Sequence, residues 1–279
     1  MIETEGSIMP ELPSLSELVD VTQPWLATLK AFDEKVAAVS ASHEDNDLDG
    51  HQRRVARSAM DLAKAYNLDE EDVRQIGAAA LVHDVGKTEI DLAILNKAGD
   101  FTPAERLAMN GHAAGGASML GQIADLPQVF VDVARYHHER YDGKGYEKLK
   151  GEDIPFAARI VQIADIHDAL SRKRVYKLGA PEGRVLCEMA EREGRIGRSM
   201  FDPGLLRCFV AMRMAAPGFQ ATAPERAELA AFVLSDPNLD LPEGTDVRFE
   251  RDGSRLVNGA RFERGRFDHA SDAYSAPAP

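Results

Sequence analysis

The chain has 279 residues, of which 44% are hydrophobic and 28% charged, with a formal net charge of -13. That length can bury a full core without covalent staples, and the two cysteines, Cys187 and Cys208, match neither a zinc spacing nor a disulfide framework. The acidic balance disfavours broad binding to DNA or RNA polymers, which relies on Lys and Arg matching phosphates, yet it leaves room for a small anion held by metal ions.

In chain order, the opening MIETEGSIMP has neither a basic region nor a long apolar run, and no later stretch approaches the roughly 20 apolar residues of a membrane span. A soluble cytoplasmic protein without membrane contact is the expectation. The periodicity predicts a helix over 24–41, an acidic turn HEDNDLDG, and helices over 50–66, 70–84, 103–121, 127–138, 154–171, 181–194 and 203–214. Thr102-Pro103 and Asp202-Pro203 are helix starts, with proline where its missing N–H costs nothing. Arg140 to Ile154 is a Gly-rich loop, and alternating strands are nearly absent before residue 220. The fold class is all-α. Thr222 to Ser235 adds a helix. Asp252-Gly253 and Asn258-Gly259 then suit the turns of a small β-hairpin, its arginines are read as a solvated face, and SDAYSAPAP as a disordered tail. The resulting division is an N-terminal helical extension (1–46), a catalytic domain (47–218) and a C-terminal part (219–279).

The anomaly lies in the histidines and aspartates. The stripe Val55, Ala59, Leu62, Tyr66 reaches back one turn to His51, on the face that should be buried. Val73, Ile76 and Ala80 lead to His83 and Asp84; Phe130, Val133 and Ala134 to His137 and His138; Ala157, Val161 and Ala164 to Asp165 and Asp168. His112 keeps helical spacing with Ala108 and Gly116. One such histidine is usually a hydrogen-bonded core residue. Five helices each bringing a His or Asp inward are another matter, because burying ionisable groups is costly unless they are paired or bound to metal. Imidazole with carboxylate and no thiolate suits Fe, Mn, Zn or Co.

LVHDVGK at 81–87 resembles the signature of the HD-domain metal-dependent phosphohydrolases. Together with GHQRRVA (50–56), NGHAAGGASML (110–120), HHERYDGKGY (137–146) and IPFAARIVQIADIHDALSRKRVYK (154–177), it is similar to the HD-GYP subfamily over roughly residues 47 to 214. The resemblance implies an HD-domain helical bundle that hydrolyses cyclic di-GMP to pGpG or GMP, using a hydroxide shared by two metals. It implies that Asp84 bridges the metals, with His51, His83 and Asp165 on one and His112, His137 and His138 on the other. Iron or manganese is the expected metal, and a third ion near Asp47 and His51 matches some family members. Lys87 is expected to contact phosphate from inside the cavity, Arg174 and Lys177 to form a phosphate-binding pair, and Tyr146 to touch substrate from its loop. Asp168 is expected to orient a neighbour or cap its helix, His167 to pack, and Glu139 and Arg140 either to be structural or to support the metal-bound rings; His43 and His269 receive no role.

One position departs from the pattern. Where the subfamily has Gly-Tyr-Pro, this chain has Gly145-Tyr146-Glu147, which removes the fixed φ of proline. The expectation is a less rigid loop, an added negative charge near an anionic substrate, and altered docking of a GGDEF-type protein partner. A homodimer contact through the helix at 24–41 is a further expectation. The alternatives are an HD-type enzyme acting on another nucleotide or cyclic dinucleotide, an iron oxygenase, or a non-catalytic cyclic di-GMP-binding scaffold.

Overall fold

The computed structural model describes residues 13–42, 47–175, 182–191 and 196–234, together with the backbone of five short strands between 247 and 275; of residues 172–175 it gives the backbone alone. In order the helices are α1 (Leu15–Leu18), α2 (Leu26–Ser40), α3 (Leu48–Ala65), α4 (Glu70–Leu81), α5 (Leu92–Leu95), α6 (Pro103–Asn110), α7 (His112–Leu120), α8 (Gln128–Tyr136), α9 (Phe156–Val175), α10 (Glu182–Ala190), α11 (Pro203–Ala215) and α12 (Ala223–Leu234). The bundle is all-α, as its periodicity requires. Among the described residues no helix is long and apolar enough to cross a membrane.

α3 is the central element, packed on α2, α4, α9 and α11, while α8 closes the other side against α4, α7 and α9. Its inner face is Leu48, Gln52, Val55, Ala56, Ala59, Leu62 and Ala63, a three-and-four spacing that puts one stripe into the core. Leu29, Ile76, Phe130, Val133, Ile160 and Phe209 complete that core. Trp25 meets Phe130 edge-on at 5.5 Å, seating α2 on α8. α10, α11 and α12 pack on one another, and α10 and α11 lie against α9.

Both anticipated helix starts carry their caps. Thr102 and Glu105 form a reciprocal capping box ahead of α6. Asp202 accepts from Gly204 N (2.9 Å) and Leu205 N (3.0 Å), and its other oxygen accepts from Arg159 of α9 at 2.7 Å. The helices that lead to His83, His112 and His137 end earlier than periodicity predicts, and α10 likewise stops at Ala190 rather than 194. α4 stops at Leu81, before His83 and Asp84, and leads into a 3-10 turn, Val85–Glu89. The helix expected over 103–121 divides at Gly111, and α8 stops at Tyr136, before His137. Near each of the first three breaks a histidine ring donates to a carbonyl of the preceding turn, an alternative partner for the helix's last acceptors.

Beyond α12, β1 (Val247–Phe249), β2 (Arg255–Val257) and β3 (Ala260–Phe262) pair antiparallel in that order, and β4 (Arg266–Asp268) pairs with β5 (Ala273–Ser275). The two expected turn pairs fall between β1 and β2 and between β2 and β3, outside the described residues. β5 lies within the stretch expected to be disordered.

Arg159 and Asp202 are both buried, so losing the carboxylate leaves a guanidinium stranded and an N-terminus uncapped. Asp202→Ala should lower stability by about 3 kcal/mol, read as a lower urea midpoint.

Candidate metal centre

Three helix ends meet in the core, and each brings a histidine. His83 Nδ1 lies 2.7 Å from Ala80 O, His112 Nδ1 2.6 Å from Met109 O, and His137 Nδ1 3.0 Å from both Val133 O and Ala134 O. A carbonyl only accepts, so each Nδ1 carries a proton and each ring turns its Nε2 into the centre. His112 Nε2 then faces His137 Nε2 at 3.4 Å and His138 Nε2 at 3.1 Å. Burial, with the neighbouring rings, pushes the His138 pKa well below the usual histidine value. Burial also lowers that of His137, against the pull of Asp84.

Asp84 sits among them, 1% exposed. Its Oδ1 is 3.1 Å from His112 Nε2 and 3.6 Å from His137 Nε2, while Oδ2 is 3.4 Å from His83 Nε2 and is also held by the Lys87 ammonium. Burial alone would raise its pKa, but Lys87 and the surrounding imidazoles outweigh that and hold the carboxyl well below its ordinary range. Asp165, opposite, is likewise kept ionised against burial, chiefly by His51.

Potential ligand atoms gather in two sets, Asp84/His112/His137/His138 and His51/His83/Asp165, each within 4.8 Å. Asp84 thus turns one oxygen to its own set and the other to His83 of the second. Two features test the fit to metal. His112 Nε2 lies within 3.4 Å of the Nε2 atoms of both His137 and His138, a crowding of donor atoms that a bound cation would relieve. His83 Nε2 and Asp84 Oδ1 are buried without a hydrogen-bond partner; the His112 contact to Asp84 Oδ1 is short but lacks hydrogen-bond geometry. Nitrogen and carboxylate donors without thiolate fit first-row transition ions.

A second ring of polar groups orients the first. His51 Nε2 is 3.1 Å from Asp165 Oδ1, and its Nδ1 is 2.8 Å from Asp168 Oδ2, so Asp168 orients a neighbour as anticipated. Arg54 donates to both Asp168 oxygens, at 2.7 and 3.0 Å, and to Asp47 Oδ2 at 2.9 Å. Asp47 holds the N-cap position of α3 without a side-chain cap bond and joins neither ligand set. The buried Gln52 amide donates to Leu81 O (2.9 Å) and accepts from Asp84 N (3.2 Å), holding the His83-Asp84 backbone from α3. Sequence reasoning missed Arg54 and Gln52. A glutamine among apolar neighbours on the inner face of α3 was the available signal.

Gly86 lets the 3-10 turn reach α7. A Cβ there would lie 2.0 Å from His112 O and 2.6 Å from Gly116 N. That approach keeps Asp84 beside His112.

The remaining predicted residues divide. Lys87 reaches the centre but spends its charge on Asp84. The Tyr146 ring lies on His138, centroids 4.8 Å apart, and its hydroxyl donates to Asn110 Oδ1 at 3.1 Å. Arg174 is in the last turn of α9, but its side chain and all of Lys177 fall outside the described residues, as does His43. His167 packs edge-on against Phe209 at 5.0 Å. Arg140 grips Asp142 through two bonds, 2.9 and 2.7 Å. The loop after Tyr146 is not slack: Glu147 N and Leu149 N donate to the buried Glu139 carboxylate at 2.6 and 2.7 Å, and Glu147 Oε1 accepts from Arg135 at 2.7 Å. The charge of Glu147 is therefore paired.

A family model described as HD domain matches residues 35–200. The chain belongs to the HD domain family. Among its relatives, this HD domain is 36% identical over 176 residues to a 3'3'-cGAMP-specific phosphodiesterase of Vibrio cholerae, covering 60% of this chain and 33% of that protein. It is 37% identical over 161 residues to a cyclic di-GMP phosphodiesterase of Pseudomonas aeruginosa, covering 57% of this chain and 38% of the relative. It is also 37% identical over 177 residues to a cyclic di-GMP phosphodiesterase response regulator of Xanthomonas campestris, covering 63% and 45%. The chain spans less than half the length of each of these relatives.

Two outcomes follow from the geometry. Gly86→Ala must push the turn off α7, so it should cost about 1–3 kcal/mol and weaken metal uptake by the set containing His112; unchanged uptake of Mn(II) in titration calorimetry would contradict the close approach. The second concerns pH. Burial disfavours a charged His51, yet bonds to Asp165 and Asp168 outweigh it and raise the metal-free ring to about 9. Below that pH an ion must displace a proton from His51. Mn(II) affinity should therefore rise with pH, by up to about tenfold per unit, and level off once pH passes about 9. Calorimetry in buffers of different ionisation heat should show roughly one proton released from this group near neutrality.

Proposed function

We propose that this HD domain is a metal-dependent phosphodiesterase that hydrolyses cyclic di-GMP to pGpG, GMP or both. The carrying observation is Asp84, buried and ionised, with one oxygen toward each ligand set. The names of the Pseudomonas and Xanthomonas relatives support the substrate. Bound ions would supply an acidified water as nucleophile and neutralise charge developing on the phosphoryl oxygens. The protein's own part is to hold His51, His83 and Asp165 for one ion and His112, His137 and His138 for the other, with Asp84 between them. Once Asp84 is engaged by cations, the Lys87 ammonium is free to grip a phosphate oxygen. Tyr146 flanks the same centre, and Arg174 and Lys177 complete phosphate binding in this reading.

Two ions, iron or manganese, are proposed rather than three. Asp47, the carboxylate needed for a third, is engaged by Arg54. The catalytic unit is proposed as 47–218, between an extension (1–46) and a C-terminal part (219–279), in the cytoplasm. A GGDEF-type protein partner is a proposal that rests on the subfamily resemblance alone, and a homodimer is one that rests on the helix read over 24–41. A second reading, cleavage of a mixed cyclic dinucleotide such as 3'3'-cGAMP, is favoured by the Vibrio relative.

Anaerobic purification, metal analysis and chromatography after incubation with cyclic di-GMP and 3'3'-cGAMP test both. At least two transition ions per chain and a linear dinucleotide or GMP are expected. Asp84→Ala should remove several kcal/mol of transition-state stabilisation, roughly 10³-fold in rate, along with metal. A fully loaded protein that leaves every cyclic dinucleotide intact would sink the proposal.

A further inference from the structure

The Glu139 carboxylate is buried two residues from the helix end that carries His137, yet it makes no part of either ligand set. Its two oxygens are taken by backbone amides, Glu147 N–H on Oε1 at 2.6 Å and Leu149 N–H on Oε2 at 2.7 Å. Lys148 between them has φ 64, the left-handed turn that makes flanking N–H groups converge on one anion. Gly145 lies directly over Glu139: a Cβ there would fall 2.5 Å from Glu139 Cα and 2.8 Å from its Cδ. Tyr146 thus sits between two anchored neighbours, with its ring 4.8 Å from that of His138.

We infer that Glu139 is a positioning residue that seats Tyr146 on His138 through the amides of residues 147 and 149. At position 147 the loop depends on the N–H and not on the side chain. The inference deepens the proposed activity and rests on it only for the substrate. The Arg135–Glu147 ion pair is the competing tether, but its side chains are 47% and 34% exposed. Such pairs hold weakly beside amides bonded to a buried carboxylate. Proline at 147 has no N–H to give, and its ring would be directed at the carboxylate. The residue that the subfamily pattern calls for would therefore loosen this particular loop.

The test uses the full chain and amide hydrogen exchange at Glu147 and Leu149. Arg135→Ala should leave both rates within about twofold. Glu139→Gln should speed both by about tenfold or more, and Glu147→Pro should speed the remaining Leu149 amide similarly. If Glu139→Gln fails to fold, Glu147→Pro, which keeps Glu139, decides the matter. Unchanged Leu149 exchange in Glu147→Pro, or acceleration by Arg135→Ala equal to that in Glu147→Pro, overturns the inference. With cyclic di-GMP, Tyr146→Ala should raise KM, and adding Glu139→Gln should raise it no further; additive effects would show that Glu139 acts elsewhere. The exchange arm needs no substrate, so a chain inert toward cyclic di-GMP would sink the functional proposal and leave this inference to stand or fall by exchange.

Discussion

The rest of the centre depends on one interaction used three times, an imidazole Nδ1–H donating to a carbonyl at a helix C-terminus. At His83, His112 and His137 the acceptor lies three residues back, and for His137 four residues back as well. The bond does several things together. It satisfies a carbonyl that the helix leaves without an internal donor, fixes the ring's orientation, and assigns its tautomer. It also brings the negative ends of α4, α6 and α8 to the same place, and helix C-termini favour positive charge. A chain of net charge -13 therefore has a core whose backbone already suits cations, before any carboxylate is counted.

Burying Asp84 and Asp165 among these rings is costly unless opposite charge accompanies them. In the metal-free protein protonated His51 and the Lys87 ammonium supply it, drawn onto Asp165 and Asp84. An ion bound by these sets would require His51 to give up its proton and Lys87 to share Asp84. The polar ring outside has the opposite character. Arg54 bridges Asp168 and Asp47, and Gln52 bridges the Leu81 carbonyl and the Asp84 amide, none of them an atom of either ligand set. An ion taken up by the two sets would meet walls held by bonds it need not break.

The sequence made the inward convergence of imidazoles and carboxylates legible, because a titratable residue continuing an apolar stripe contradicts simple burial. The helix ends were not legible. Periodicity carried α4 through Asp84 and α8 through His138, since it registers which face a residue occupies and not whether its side chain competes for the backbone. Gln52 was visible in principle as a polar residue on the inner face of α3. Arg54 was not, because Asp168, which accepts from it through both oxygens, lies on α9 and meets it only by tertiary packing. The Gly86 approach to α7 is a distance between segments, and a lone glycine in a turn does not reveal it. The two pieces of the predicted phosphate grip, Arg174 and Lys177, fall where side chains are not described.

Glu147 shows how a motif can mislead by one residue. Reading proline's absence as slackness assumes that the loop draws its order from a restricted φ. Proline orders a chain chiefly by limiting its unfolded conformations, whereas this loop is ordered in the folded state by bonds that proline could not make. The cost is visible at Lys148, a non-glycine residue in the left-handed region, a conformation worth about 1–2 kcal/mol of strain. Two amide bonds to a buried carboxylate, at about 1 kcal/mol or more each, offset it. The balance favours the observed turn as long as Glu139 accepts from both amides and residue 147 keeps its N–H. Loop order here is thus tied to the buried carboxylate next to His138, and the backbone that presents Tyr146 shares its support with the end of the helix that presents His137.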